Sequence, residues 1–383
     1  MYKRQLQGKA DSALCGLLAA LAIEAADSLA GEDGGDDLER LRVKRLQVRQ
    51  GGVMDTTLVG GLMLLKSRVD IATLANSDGG RIAIIDGGLE SKMLEMSASI
   101  EVDSPGVLQG FQDRKIEYVR KRVENLESMG VDLLVVRDGI SDEAISLLTK
   151  AGITAYRRFE RKDMELLSKI TGSSLVRDPL NVKESDLGTY TRRSEEGIAD
   201  VVHTQIEGSH SGGMTLVVRG SSPAVREEAV RVFDDAIGVA HRMNSRPGVL
   251  PGGGAIQSHL ARHLRAHALR QSGREQLAIE AYASALESIP RILAENSGRD
   301  PVDVILALSA DQQEGGPWIG FDLEQGRNKD MKEAGVLDPL FVVRHALSGS
   351  TEAAISVLRI DDVLWAKTDP STPDWKDEEE SEG

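Results

Sequence analysis

With 383 residues and 40% hydrophobic content, the chain can bury several cores, and its length predicts two or three domains. A formal net charge of -15 excludes a nucleic-acid binder, which needs a basic surface for phosphate contacts, and Cys15 as the single cysteine excludes a disulfide framework and a Cys-based zinc site. No apolar run reaches the ~18 residues of a membrane span and the N-terminus lacks a secretory pattern, so the expectation is a soluble, cytoplasmic chain with no membrane partner.

In chain order, residues 13–30 are rich in alanine and leucine and predict a helix ending at the Gly31-Glu32-Asp33-Gly34-Gly35 loop. Apolar and basic residues alternate over 41–50, a strand pattern that Gly51-Gly52 breaks. A short apolar segment between Gly51-Gly52 and Gly60-Gly61 fits either a hinge or a hairpin with loose turns. Strand and helix patterns then alternate: strand at 81–86, helix at 108–129, strand at 131–136, helix at 142–150, strand at 153–156, helix at 162–171. Such alternation predicts βαβ units and a parallel layer. Strand patterns return over 188–220, and 223–241 is helical. Beyond it, 258–284 and 301–309 read as helices, 314–317 as a glycine-rich loop, and 352–360 as a last helix. Residues 367–383 are acidic, contain proline and carry few apolar side chains, the composition of a disordered tail.

The turn Val249-Leu250-Pro251-Gly252-Gly253-Gly254-Ala255 stands out. Three consecutive glycines offer no side chain to a core, but a backbone without Cβ atoms approaches a ligand closely and takes up positive φ. An upstream carboxylate at Asp234 or Asp235 could orient an attacking water, although from the residues alone two surface carboxylates on a helix are the plainer reading.

The glycine turn, followed by Gly273-Arg274-Glu275-Gln276-Leu277-Ala278, Ile289-Pro290-Arg291-Ile292-Leu293-Ala294-Glu295-Asn296-Ser297-Gly298 and Leu358-Arg359-Ile360-Asp361-Asp362-Val363, closely resembles the C-terminal half of group II chaperonins, the thermosome family, in order and spacing. The resemblance covers about residues 6 to 366; residues 1–5 fall outside it. It implies an α/β and α chaperonin fold with an α/β apical domain, an intermediate domain of two arms and the C-terminal half of a helical equatorial domain. The expected boundaries are 1–56 for the first intermediate arm, 57–220 for the apical polypeptide-binding domain with a helical protrusion near 90–117, 221–245 for the second arm, 246–366 for the equatorial half and 367–383 for the tail.

The resemblance also implies an ATP-dependent chaperone acting on unfolded polypeptides, built into a homo- or hetero-oligomeric double ring. Asp235 matches the family's catalytic aspartate, which positions water against the γ-phosphate. Gly252, Gly253 and Gly254 match its nucleotide-contacting glycines, and Asp338 an acidic residue on the ribose, against the plainer reading of a turn residue before proline. Gly320, Phe321 and Asp322 fall in the base-side segment, and Lys9 in a nucleotide-sensing loop. The cofactors implied are ATP and Mg2+. The family's magnesium-holding Gly-Asp-Gly-Thr-Thr loop has no counterpart in these 383 residues, so the sequence reads as an N-terminally truncated subunit with negligible turnover of its own. The alternative is a polypeptide-binding fragment without ATP turnover. His259, His263 and His267 share one helix face, yet no carboxylate completes a metal site, and the expectation there is a wet or inter-subunit face and no metal.

Overall fold

The computed structural model describes residues 11–29, 43–90, 105–198, 201–210 and 213–361. Residues 1–5, Lys9, the loop at 31–35, positions 91–104 of the expected protrusion and the tail at 367–383 lie outside the described residues. The chain divides into two units, Met1–Pro247 and Gly248–Gly383.

The first unit contains α1 (Ser12–Leu29), β1 (Val43–Val48), β2 (Thr57–Gly60), β3 (Leu62–Leu64), β4 (Gly80–Ile85), α2 (Pro105–Ser128), β5 (Leu133–Val136), α3 (Asp142–Lys150), β6 (Thr154–Tyr156), α4 (Arg161–Thr171), β7 (Leu175–Val176), β8 (Gly188–Ile198), β9 (Val201–Gly208), β10 (Met214–Arg219) and α5 (Pro223–Ser245). It holds two sheets. The smaller has the order β1-β10-β2, with β1 parallel and β2 antiparallel to β10. Alternation along β10 assigns its faces: Leu216 and Val218 meet α1 and α5 through Leu18, Ala22, Phe233 and Ile237, while Val217 faces Val48, Met63 and Ile198. The alanines of α1 are what let α5 approach closely, with Ala22 and Ala25 fully buried.

The larger sheet has the order β3-β9-β8-β4-β5-β6, with β7 also on β4. The expected βαβ layer is present, since β5 and β7 run parallel to β4 and β6 parallel to β5. Both faces of these strands are covered, which is why they read as continuous apolar runs. Ala83, Ile85, Leu134 and Val136 pack under Val119, Val123 and Leu126 of α2 and Ala144 and Leu148 of α3. Ile82, Ile84, Leu133 and Val135 pack under Met164, Leu167 and Ile170 of α4. The remainder of the sheet is antiparallel. β8 pairs antiparallel with β4 and β9 with β8. A connection of two residues between β8 and β9 is long enough for a hairpin and far too short for a crossover helix.

Gly61 carries the chain from one sheet to the other at φ +75, where a Cβ would lie 2.3 Å from the Ile206 carbonyl oxygen. β10 begins at Met214 and already belongs to the smaller sheet.

The second unit contains β11 (Val249–Pro251), α6 (Ala255–Ala268), α7 (Arg274–Asn296), α8 (Pro301–Gly315), β12 (Ile319–Asp322), β13 (Arg327–Asp330), β14 (Leu337–Pro339) and α9 (Leu340–Leu358). The single helix expected over 258–284 is two helices. Leu269 caps the first, and Gly273, at φ +73, opens the second. α6 and α7 share Ala261, Ala283 and Leu286, and Arg265 forms a two-pronged ion pair with Glu287, one arm at 2.6 Å. The last helix starts at Leu340, well before the expected 352, and has no buried residue. Leu277, Leu306 and Val357 are also mostly exposed. Among the described residues, no helix is long and apolar enough to cross a membrane.

Candidate functional site

The short strand β11 delivers the glycine turn. It pairs antiparallel with β14, placing Leu250 opposite Asp338, and Gly252 N–H donates to the Val336 carbonyl at 2.9 Å. On the other side Phe321 N–H of β12 donates to the Gly253 carbonyl at 2.9 Å. The turn is thus held between two strands, and α6 starts directly behind it.

The glycines are enclosed, contrary to the expectation that they pack nothing. A Cβ on Gly253 would lie 2.6 Å from Phe321 O and 2.9 Å from Met331 Sδ, and one on Gly254 would lie 2.7 Å from Pro290 Cβ. Gly253 and Gly254 have φ +61 and +69, left-handed values that side chains resist. Gly320 is equally confined, its Cβ position being 2.7 Å from Gly252 O. Packing alone therefore demands glycine at these positions.

The same corner suits an anionic ligand. Gly254 caps α6 without a side-chain hydrogen bond, and the first turn holds no acidic residue, so no carboxylate of the helix itself offsets the partial positive charge at its N-terminus. The Asp338 carboxylate stands against the turn, with Oδ2 3.3 Å from where a Gly252 Cβ would be. An acceptor there, beside a turn whose amides donate, offers hydroxyl recognition next to phosphate recognition.

Gly252, Gly253, Gly254, Gly320 and Asp338 therefore meet in one corner of the second unit. Phe321 belongs to it through its backbone, while Asp322 follows it in β12. The Phe321 side chain is buried, and Asp322 Oδ1 accepts from Glu324 N at 2.9 Å and Gln325 N at 3.2 Å, closing the β12–β13 hairpin. One residue escaped the sequence reading. Gln312 on α8 is buried, and its Nε2 donates to the carbonyls of Ala255 at 2.9 Å and Ile319 at 2.8 Å. A single amide thus ties the residue after the glycine turn to the residue before Gly320. Its signal was the spacing from Leu308, four residues earlier on the same buried stripe.

The family model described as the TCP-1/cpn60 chaperonin family matches residues 1–368. The chain belongs to this family. A thermosome subunit of Methanopyrus kandleri is 36% identical over 369 residues, which are 95% of this chain and 67% of the relative. Thermosome subunit alpha of Methanothermobacter thermautotrophicus is 37% identical over 348 residues, 90% of this chain and 64% of the relative. The chain thus spans about two thirds of the length of the curated relatives it matches. The open-state monomer of a group II chaperonin from Methanococcoides burtonii superposes with a TM-score of 0.71 at 27% identity, over 94% of this chain and 84% of that one. Sequence and fold together make this a group II chaperonin, as the motifs implied.

In this chaperonin chain Asp235 lies in the first unit, on the exposed side of α5, whose opposite side buries Val232, Phe233, Ala236 and Ile237. Its neighbour Asp234 is paired with Arg45 of β1 at 2.6 Å. The histidine row resolves into a stacked pair, His259 and His263, with centroids 6.4 Å apart, and Arg262 Nη2 donates to His259 Nδ1 at 3.0 Å. Burial, and then the charges of Arg262 and His263, hold the His259 imidazole below its ordinary pKa. Among the described residues no group of three His, Cys, Asp or Glu side chains could hold a metal ion.

Proposed function

We propose that this chain acts as a cytoplasmic chaperonin polypeptide that binds ATP at the glycine corner and assists the folding of non-native polypeptides within a double ring. The observation that carries the nucleotide reading is the meeting of Gly252, Gly253, Gly254, Gly320 and Asp338 at an uncapped helix N-terminus. The backbone amides of Gly253, Gly254 and the first turn of α6 would take the phosphates, Asp338 would accept from the ribose hydroxyls, and the backbone at Gly320, Phe321 and Asp322 would line the base side. Asp235 would orient the attacking water as an acceptor, a role exerted in the transition state. Lys9 would report the nucleotide state. Magnesium would supply charge neutralisation when it accompanies the triphosphate; among the described residues no group of three His, Cys, Asp or Glu side chains could hold a metal ion.

The thermosome relatives support the chaperone reading. The test is calorimetric titration of ATP into the full chain and its Asp338→Ala variant, with phosphate release measured in the assembled chaperonin for wild type and Asp235→Ala. Loss of a hydroxyl acceptor should weaken binding about 10- to 100-fold. Asp235→Ala should keep binding and lose about 10² to 10⁴ in turnover. Unchanged affinity in Asp338→Ala sinks the ribose role.

A further inference from the structure

The chain crosses between the two sheets of the first unit at Gly61 and again at Gly213, just ahead of β10. The crossings lie side by side, since Gly61 N–H donates to the Gly213 carbonyl at 2.8 Å. Adjacent glycine crossings define one axis about which a sheet can turn without stretching either segment. Further polar bonds between the sheets sit on this axis. Thr215 Oγ1 accepts from Met63 N and donates to the Gly61 carbonyl, both at 2.9 Å, and Gln205 Nε2 donates to the Gly60 carbonyl.

Lys44 makes its contact away from that axis. Along β1, Val43 packs in the core of α1 and α5, Arg45 pairs with Asp234 of α5, and Gln47 Oε1 accepts from Arg226 Nε of α5 at 3.4 Å. The alternate residues face the larger sheet. Leu46 and Val48 pack with Met63 and Ile198, and Lys44 Nζ is ion-paired with Asp163 Oδ1 in the first turn of α4. Near its other end, α4 sets Ile170 against Gly213, where a Cβ would lie 2.2 Å from Ile170 Cγ2. The rise of the helix from Ile170 back to Asp163 puts the ion pair about 10 Å from the axis. A turn of about 15° at that radius carries the carboxylate about 3 Å, enough to part the pair.

The pair can open without unfolding the unit. Among the described residues, the apolar cluster between the sheets is small: Val48, Met63, Ile198 and Val217, with Leu46 and Val59 at its margin. The Lys44 and Asp163 side chains keep 21% and 12% exposure, so water reaches both charges once they separate, whereas opening a sealed pair strands a charge. The N-terminal amides of α4 also favour an anionic Asp163 after Lys44 withdraws. We propose that Lys44 and Asp163 form a latch that fixes the larger sheet on the smaller one, and that its release lets the two swing about the Gly61–Gly213 axis. The latch stands independently of the nucleotide reading.

Spin labels at Lys169→Cys of α4 and Glu227→Cys of α5, both exposed positions, report the angle between the sheets in the full chain by pulsed dipolar electron spin resonance; Cys15 is buried and takes no label. The labelled parent should give one main distance. Lys44→Met and Asp163→Asn should each raise a second distance population about 5- to 30-fold, the range for losing a charged hydrogen bond. The double variant should match the single ones, because either change removes the same contact, and Lys44→Arg should restore the parent distance. Should Lys44→Met not fold, Asp163→Asn, which keeps the shape of the side chain, carries the test. Parent-like distances in Asp163→Asn overturn the proposal. So does a double variant whose shift is the sum of the two single shifts, since the residues then act apart.

Discussion

Replacing Gly253 by alanine separates two reasons for a glycine. The first is conformational, since a left-handed φ of +61 costs a residue with a Cβ about 1–2 kcal/mol. The second is steric. The new Cβ would lie 2.6 Å from Phe321 O and 3.1 Å from Phe321 N, both backbone atoms of a strand that is itself bonded to the turn. Neither can retreat without breaking the Phe321–Gly253 hydrogen bond, so overpacking adds about 1–3 kcal/mol. Gly298 is the matched control: it has φ +71 in the same unit, and nothing lies within 4 Å of its Cβ position. Gly298→Ala should therefore lose ~1 kcal/mol and Gly253→Ala ~3 kcal/mol. For a unit of this size a kilocalorie corresponds to ~4 °C in melting temperature, giving shifts of ~4 °C and ~12 °C by scanning calorimetry of the full chain. ATP affinity should fall only in Gly253→Ala. Equal shifts in the two variants would refute the steric part of the reasoning.

Gln312→Ala removes the donor shared by Ala255 and Ile319, so it should destabilise the second unit by about 2–4 kcal/mol and weaken nucleotide binding, with Gln312→Glu restoring bulk but not the two donated bonds; calorimetry of both variants reads this out. The His259 imidazole titrates lower in the folded chain than its ordinary 6.5, so the unfolded chain takes up the proton first. Its contribution is complete above 6.5 and is lost as pH falls toward the lowered value; urea melts of wild type and His259→Gln across that window should diverge in slope, and parallel curves would contradict the assignment. Residues 61–210, expressed alone, should melt cooperatively, because they contain both cores of the larger sheet, whereas 57–220 also carries β2 and β10 without the β1 strand that completes their sheet. A non-cooperative melt of 61–210 would show that the sheet depends on the rest of the unit.

The order of helices and strands between Gly80 and Thr171 was legible because each parallel strand is buried on both faces and each helix on one, patterns that persist over enough residues to be read locally. The candidate corner was legible only as a set of names: the glycine run, Gly320 and Asp338 were marked from motif order, and the chaperonin family followed from the same strings. Tertiary structure decided the rest. Strands of three residues such as β11 and β14 are too short for alternation to register, so their pairing, which sets Asp338 against Gly252, exists only once the chain is folded. Gln312 looks like an ordinary helix residue until the carbonyl of distant Ala255 and that of nearby Ile319 converge on its amide. The enclosure of the glycines by Phe321, Met331 and Pro290 has the same origin, because local sequence specifies a backbone's conformational freedom but not what will occupy the space beside it.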